Sequence, residues 1–354
     1  MGVSMARFLI VTAGLLAILP MTGSIRAQEN SKQLTAANVN EAEFESGRIF
    51  KNVETDPEAA DGDHGPTGKT RDPFILKLQI LLDRARISPG EIDGRLGRNT
   101  EKAIAAFERK VGLPDDGKPD AELWRKLSDA QSEPALQEVE ISDEDVKGPF
   151  ADKIPARFEE KAELKVLSYE GVEELLGEKY HASPDLLRDL NPNASFTSAG
   201  TMILVPNIRR EAPANRVTKI IADKGRTLVE AFASDGTLVA VYPATIGSDD
   251  TPTPDGETTV TKAIKNPWYT YDPRKLNFKD VQTDRVLKIA PGPNNPVGLV
   301  WIDLKREGYG IHGTPEPKQI SKTSSHGCVR LANWDALDLA DLVEPGAQVI
   351  FVGE

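Results

Sequence analysis

The sequence predicts a multidomain protein: a small all-α three-helix domain, a small α+β module and a C-terminal mainly-β domain. Three observations predict it. The chain has 354 residues, more than one ordinary compact domain and enough for two or three. Apolar residues follow helical spacing between Pro73 and Leu127, then change to short strand-like runs and turns from Val217 onward. Its 25 prolines and 28 glycines favour many turns and connections over one continuous core.

Residues 1–27 read as a secretion signal. Arg7 supplies the positive end, Phe8 to Leu19 is a nearly unbroken apolar run, and small residues lead to a cleavage point after Ala27. That run is shorter than the about 20 residues a spanning helix needs. An exported chain with no transmembrane span after cleavage is expected, an uncleaved anchor being the alternative. Residues 28–70 are polar, with the turn-rich run Asp61-Gly62-Asp63-His64-Gly65-Pro66, and are expected as a flexible linker with His64 solvated in it.

In residues 71–130, Phe74, Leu78, Leu81 and Leu82 give a helix from Pro73 to Ala85. A tight loop follows at Ile92 to Gly97. Asn99 or Thr100 is expected to cap a second helix with Ala103, Ile104, Phe107 and Val111 inside, and Gly112 stops it. Leu123, Trp124 and Leu127 mark a third. Residues 131–160 begin with six acidic residues and no basic one between Gln131 and Val146, and are expected as an acidic linker. In residues 161–210, Gly171 to Tyr180 is helix-like, and Ser183-Pro184-Asp185 starts another helix with Ser183 as cap. His181, between them, is expected as a structural surface residue. Residues 215–354 carry strands at Val217–Ala222, Thr227–Phe232, Thr237–Ile246, Leu299–Leu304, Tyr309–Ile311 and Gln348–Val352, with one helix at Trp334–Leu342. A sandwich or partly open barrel is expected there.

The net charge of −12 argues against nucleic acid as a partner, since phosphate binding needs a basic surface. No His-Glu-x-x-His or repeated Cys-x-x-Cys spacing occurs, so neither a metal nor a cofactor is expected. What stands out is Cys328, the only cysteine. An unpaired thiol in an exported protein invites oxidation, so its presence needs a reason. A thiol of ordinary pKa is only a few per cent thiolate at neutral pH, and an imidazole is the usual means of taking its proton. Two of the four histidines, His312 and His326, lie within sixteen positions of Cys328. Gly313 and Gly327 leave the backbone open beside them, and the amides near Cys328 suit an oxyanion. Proximity in sequence favours His326 as base.

Two resemblances sharpen this reading. Leu78-Gln79, Ile92-Asp93-Gly94, Leu96-Gly97, Thr100, Ala103, Phe107, Gly112-Leu113 and Asp116-Gly117 resemble the three-helix peptidoglycan-binding domain, with Glu108 where that family usually has glutamine. Ile311-His312-Gly313-Thr314 and Ser325-His326-Gly327-Cys328-Val329-Arg330-Leu331 resemble the signature of YkuD-type L,D-transpeptidases. Thr251-Pro252-Thr253-Pro254-Asp255-Gly256 and Asn295-Pro296-Val297-Gly298 fit the same family. A weaker likeness, in Leu190-Asn191-Pro192-Asn193 with Gly200, Leu204 and Val205-Pro206, is to the second half of a LysM module. Its first half departs from the family at Tyr169-Glu170-Gly171-Val172.

The YkuD resemblance implies a β-rich catalytic domain that cuts a peptidoglycan tetrapeptide stem before its terminal D-alanine and passes the acyl group through a cysteine to an amine. By that pattern Cys328 is the nucleophile, His312 the base and Gly313 the carbonyl that orients it. His326, Gly327 and Ser325 support the oxyanion site, and Arg330 and Tyr309 bind substrate. The implied partners are stem peptides and glycan strands, with a protein amine as a possible acceptor, in the periplasm or cell envelope. A hydrolase of the same fold and a non-catalytic wall-binding protein are the competing readings.

Overall fold

The computed structural model describes residues 1–2, 34–48, 50, 71–247, 255–274, 276, 281, 283–323 and 327–353. The secretion signal, most of the 28–70 linker, Thr251 to Pro254, Ser325 and His326 lie outside the described residues. Among the described residues no helix is long and apolar enough to cross a membrane.

The flexible linker expected over residues 28–70 is not what residues 34–48 form. Thr35 caps a short helix, α1 (Ala36–Asn40), and its Val39 is fully buried. Lys77 donates to the Asn40 and Ala42 carbonyls, at 2.9 and 2.8 Å, and Trp124 Nε1 donates to Glu43 at 2.6 Å. Phe44 and Phe50 pack around Phe74. A few apolar anchors thus order a polar segment whose remaining side chains gave no periodic signal.

Asp72 caps α2 (Pro73–Arg84) by accepting from the Phe74 amide at 2.9 Å, with Pro73 in the first turn. Two further helices complete the domain, α3 (Arg98–Val111) and α4 (Ala121–Ser128). Buried Gln79 pins the loop between α2 and α3. Its amide donates to Asp93, the Arg95 carbonyl and Thr100, each at 3.0 Å, and its oxygen accepts from the Asp93 and Gly94 amides. Thr100 is therefore committed to Gln79, and Asn99 reaches the Ile320 carbonyl. Neither caps α3; Gly97 occupies that position without a side-chain bond. Glu108 also has a structural partner, accepting from the Gly117 amide at 2.9 Å.

Residues 131–160 are not a linker either. They carry β1 (Leu136–Glu140), α5 (Asp143–Lys147) and the start of α6 (Phe158–Lys161). The acidic residues Glu138 and Glu140 face solvent, while Ala135, Leu136 and Ile141 supply the buried contacts. After α7 (Val172–Lys179) and α8 (Pro184–Leu190), β2 (Met202–Pro206) pairs antiparallel with β1. The middle module is therefore strand–helix–helix–strand from 136 to 206, not a unit beginning at 161, with residues 141–171 inserted after its first strand. Ser183 caps α8 as its sequence predicts.

The C-terminal domain is built on β3 (Val217–Asp223), β4 (Leu228–Phe232), β5 (Leu238–Pro243), β6 (Thr245–Ile246) and β7 (Gly256–Lys265). A hairpin, β8 (Tyr269–Tyr271) with β9 (Leu287–Ile289), stands apart from the main sheet. Then follow β10 (Val300–Leu304), β11 (Gly310–His312), β12 (Val329–Arg330), α9 (Asn333–Leu342) and β13 (Val343–Val352). Among the described residues the main sheet runs β5-β4-β3-β13-β7-β10-β11-β12-β6. Its end strands, β5 and β6, are separated in sequence by Ala244 alone, so the sheet must curl until its two ends meet. Long β7 makes the bend: its first part pairs with β13 and its second with β10. The core inside includes Ile220, Tyr242, Val300, Ile311 and Val329, closed by Ala336, Leu339 and Leu342 of α9.

The modules share interfaces. Residues 86–88 add to the β5 edge, with Ser88 donating to the Val241 carbonyl and the Val241 amide to Arg86, both at 2.8 Å. Covering an edge strand removes a template for unwanted pairing. Ile92 exchanges backbone bonds with His181 and Ser183 of the middle module. His181 is consequently no surface residue: Nδ1 lies 3.0 Å from Asp83, and the ring stacks on Trp334 at 5.3 Å.

Candidate active site

Strand alternation assembles the site. Parallel β11 and β12 set Ile311 beside Val329 and His312 beside Arg330. Ile311 and Val329 are fully buried in the core, so His312 and Arg330 project from the opposite face. Cys328 is two residues before Arg330 and shares that face. One step back in the same register, the Gly310 backbone hydrogen-bonds the sulfur. The Leu331 amide donates to the His312 carbonyl at 2.8 Å and continues the ladder.

His312 is held on two sides. Its Nδ1 is 2.7 Å from the Gly313 carbonyl oxygen. A carbonyl only accepts, so Nδ1 carries the proton and Nε2 presents the lone pair. Trp301, its cross-strand partner on β10, stacks on the imidazole at 5.5 Å with an interplanar angle of 17°. Gly310 makes room for that indole, because a Cβ there would lie 2.5 Å from the Trp301 ring. Burial, then the charge of Arg330, push the His312 pKa down to about 3, against the Gly313 carbonyl. The imidazole is neutral at physiological pH.

Half-buried Cys328 is in no disulfide, and its Sγ lies 3.8 Å from the Gly308 carbonyl oxygen. Burial raises its pKa, opposed by the Gly310 hydrogen bond and by Arg330. The resting site thus holds a thiol and a neutral imidazole on one face, not a thiolate and an imidazolium. A raised pKa keeps the thiol protonated through neutrality, so the thiolate fraction grows with pH across that range. Alkylation of Cys328 by iodoacetamide is expected to quicken about tenfold per pH unit between about pH 6 and 8. A plateau reached below neutrality would refute the thiol form.

The structure brings Cys328, His312, Gly313 and Arg330 to one face, and Gly327 adjoins the sulfur in the chain. It does not bring Tyr309 there. Half-buried Tyr309, just before β11, packs against the hydrophobic core, with Arg306 over its ring at 5.5 Å. Several neighbours had no motif to mark them. Tyr269 of β8 and Glu316 lie within electrostatic reach of Arg330. Phe158 of α6 meets Tyr269 and Tyr271 edge-on, at 5.8 and 5.7 Å. The insert of the middle module thus packs on the hairpin that flanks the site.

Comparison with known proteins places this arrangement. The profile of the L,D-transpeptidase catalytic domain, YkuD, matches residues 218–351, and that of a peptidoglycan binding domain matches residues 71–127. The chain is 31% identical to the L,D-transpeptidase YkuD of Bacillus licheniformis over 179 residues, which is 50% of this chain and 90% of that protein. The chain belongs to the YkuD family of L,D-transpeptidases. A second relative, the L,D-transpeptidase YqjB of Bacillus subtilis, is 31% identical over 140 residues, 38% of this chain and 71% of that one. The crystal structure of L,D-transpeptidase 3 from Mycobacterium tuberculosis aligns with 46% of this chain and 78% of its own at 16% identity, with a TM-score of 0.32. A peptidoglycan binding domain joined to a YkuD catalytic domain makes peptidoglycan the substrate and the cell envelope the place of action.

Proposed function

We propose that the protein is a cysteine-dependent L,D-transpeptidase that forms an acyl-enzyme with a tetrapeptide stem, releases D-alanine and transfers the acyl group to an amine. The observation that carries this is the His312 Nδ1–H bond to the Gly313 carbonyl, which leaves Nε2 as a free base on the face shared by Cys328. In the first half-reaction Nε2 takes the thiol proton as sulfur attacks the carbonyl carbon before the terminal D-alanine. The tetrahedral intermediate collapses to a thioester, and the same proton goes to the departing amine. In the second, an acceptor amine attacks the thioester, loses a proton to Nε2, and the sulfur leaves and is reprotonated. Amides around Gly327 and Cys328 stabilise the oxyanion, and Arg330 suits a substrate carboxylate.

The helical domain is proposed to hold the enzyme on peptidoglycan after export. With the α5 and α6 insert set aside, the strand–helix–helix–strand order of β1, α7, α8 and β2 supports the LysM likeness. Incubation with disaccharide-tetrapeptides followed by mass spectrometry tests the reaction. Cross-linked dimers are the expected product, and Cys328→Ser is expected to form none. Tripeptide alone would replace transfer with hydrolysis, and identical products from wild type and Cys328→Ser would end the enzymatic reading.

A further inference from the structure

Behind the catalytic sheet, one side chain of the middle module comes within two contacts of the residue that orients His312. The link is Asn333, the first residue of α9 and fully buried. Its Oδ1 accepts from the Leu299 amide at 3.1 Å. Its Nδ2 donates to the Pro293 carbonyl at 3.2 Å and to Glu178 Oε1 at 2.7 Å. The same Oδ1 lies directly against Gly298 and Gly313, where an added Cβ would overlap it. Gly313 is the residue whose carbonyl accepts from His312.

The orientation of the Asn333 amide is therefore fixed from both ends. Leu299 N–H only donates, so Oδ1 must face it, and Nδ2 must face acceptors. Glu178 is the shorter and better placed of those acceptors, and it comes from α7 of the middle module. Tyr169 Oη donates to the other oxygen of Glu178 at 3.3 Å and holds the carboxyl group in place. A second seam runs alongside. Glu174 accepts from Asn294 at 2.8 Å, and the Leu167 amide donates to the Pro291 carbonyl at 3.0 Å. The 291–299 loop is thus clasped by the middle module.

We propose that Glu178 is a positioning residue for catalysis: through Asn333 it fixes the backbone at Gly298 and Gly313, and with it the carbonyl that aims the His312 imidazole. The proposal deepens the transpeptidase reading and rests on His312 acting as base. A buried amide that loses its acceptor is free to rotate or to shift toward another, and the glycines packed on it follow. Displacements of this kind far from the reacting atoms cost rate rather than binding.

The test uses the full-length chain labelled with nitrogen-15 histidine, in which the His312 Nδ1–H resonance is assigned by its loss in His312→Gln. Glu178→Met keeps the volume but cannot accept a hydrogen bond, and the resonance is expected to shift or to exchange faster with water. Glu178→Gln retains an acceptor oxygen and is expected to preserve it. With the tetrapeptide stem, kcat of Glu178→Met is expected to fall by about tenfold to a hundredfold with KM little changed, and Glu178→Gln to remain near wild type. Asn294→Ala opens the parallel seam without touching Asn333 and is expected to leave the resonance in place. An unchanged resonance in Glu178→Met, or equal damage from Asn294→Ala, overturns the proposal. If Glu178→Met does not fold, Glu178→Asp decides, because it keeps a carboxyl group but withdraws it from Asn333. A resonance that responds as expected in a wild type unable to turn over stems would sink the reaction assignment and leave this proposal standing.

Discussion

Replacement of His312 by glutamine is expected to slow acyl-enzyme formation by about 10²–10⁴-fold, the usual contribution of a positioned general base. Glutamine fits the same space and still reaches the Gly313 carbonyl through its amide, so the sheet should stay intact. It has no basic nitrogen, however, and the Cys328 thiol has a raised pKa. Without a proton acceptor the enzyme must rely on the small thiolate fraction present at neutral pH. The loss should therefore shrink as pH rises and that fraction grows. Single-turnover mass spectrometry of the Cys328 adduct across pH reads this directly. A variant within threefold of wild type at neutral pH would remove His312 from the mechanism and leave His326 as the base to test.

Arg210→Met is the second large effect. Arg210 donates to fully buried Asp83 at 2.7 Å and lies 3.1 Å from Asp338 of α9, so one guanidinium ties the helical domain to the catalytic domain from the middle module's side. Arg86 and Tyr242 also donate to Asp338. Burial alone would raise the Asp83 pKa, yet Arg210 and His181 together bring it well below the usual carboxylate range. A depressed folded pKa means that this stabilisation is fully present above the unfolded value of about 4 and disappears as pH falls through the folded one. Removing Arg210 leaves the buried Asp83 carboxylate without its hydrogen-bonded guanidinium, which costs about 3–5 kcal/mol. Chemical denaturation at neutral pH should show that loss, with much of it recovered by Arg210→Met combined with Asp83→Leu. A single variant within about 1 kcal/mol of wild type would mean that water reaches Asp83 and replaces the partner.

Local chemistry explains which features were legible in advance. Pro73 and Ser183 mark helix starts because capping depends on a few neighbouring residues, and both helices begin there. Cys328, His312 and Gly313 were legible because their spacing is a motif and their alternation is strand geometry. The segments near Val39 and Leu136 were misread because one or two buried side chains order each one while charged neighbours dominate its composition. Glu178 and Asn333 are 155 positions apart, and no periodicity or composition brings them together. Their pairing exists only once the middle module has docked on the catalytic domain. The same holds for Asp83, Arg210 and Asp338, each unremarkable alone.

The order of strands in the main sheet has a consequence for how the domain is made. β13, the last strand in the sequence, lies in the interior of the sheet, parallel to β3 and antiparallel to β7. Until residues 343–352 arrive, β3 and β7 have no neighbour in common and the core around Ile220 and Val260 stays open. Pairing the first and last strands of a domain is a long-range closure, the slowest kind of step in assembling a β structure. β11 and β12 join that sheet through β10 and β7, so the strands that carry His312 and Arg330 depend on β7 finding its place beside β13. Closure of the sheet around β7, from which β10, β11 and β12 follow, thereby waits on β13.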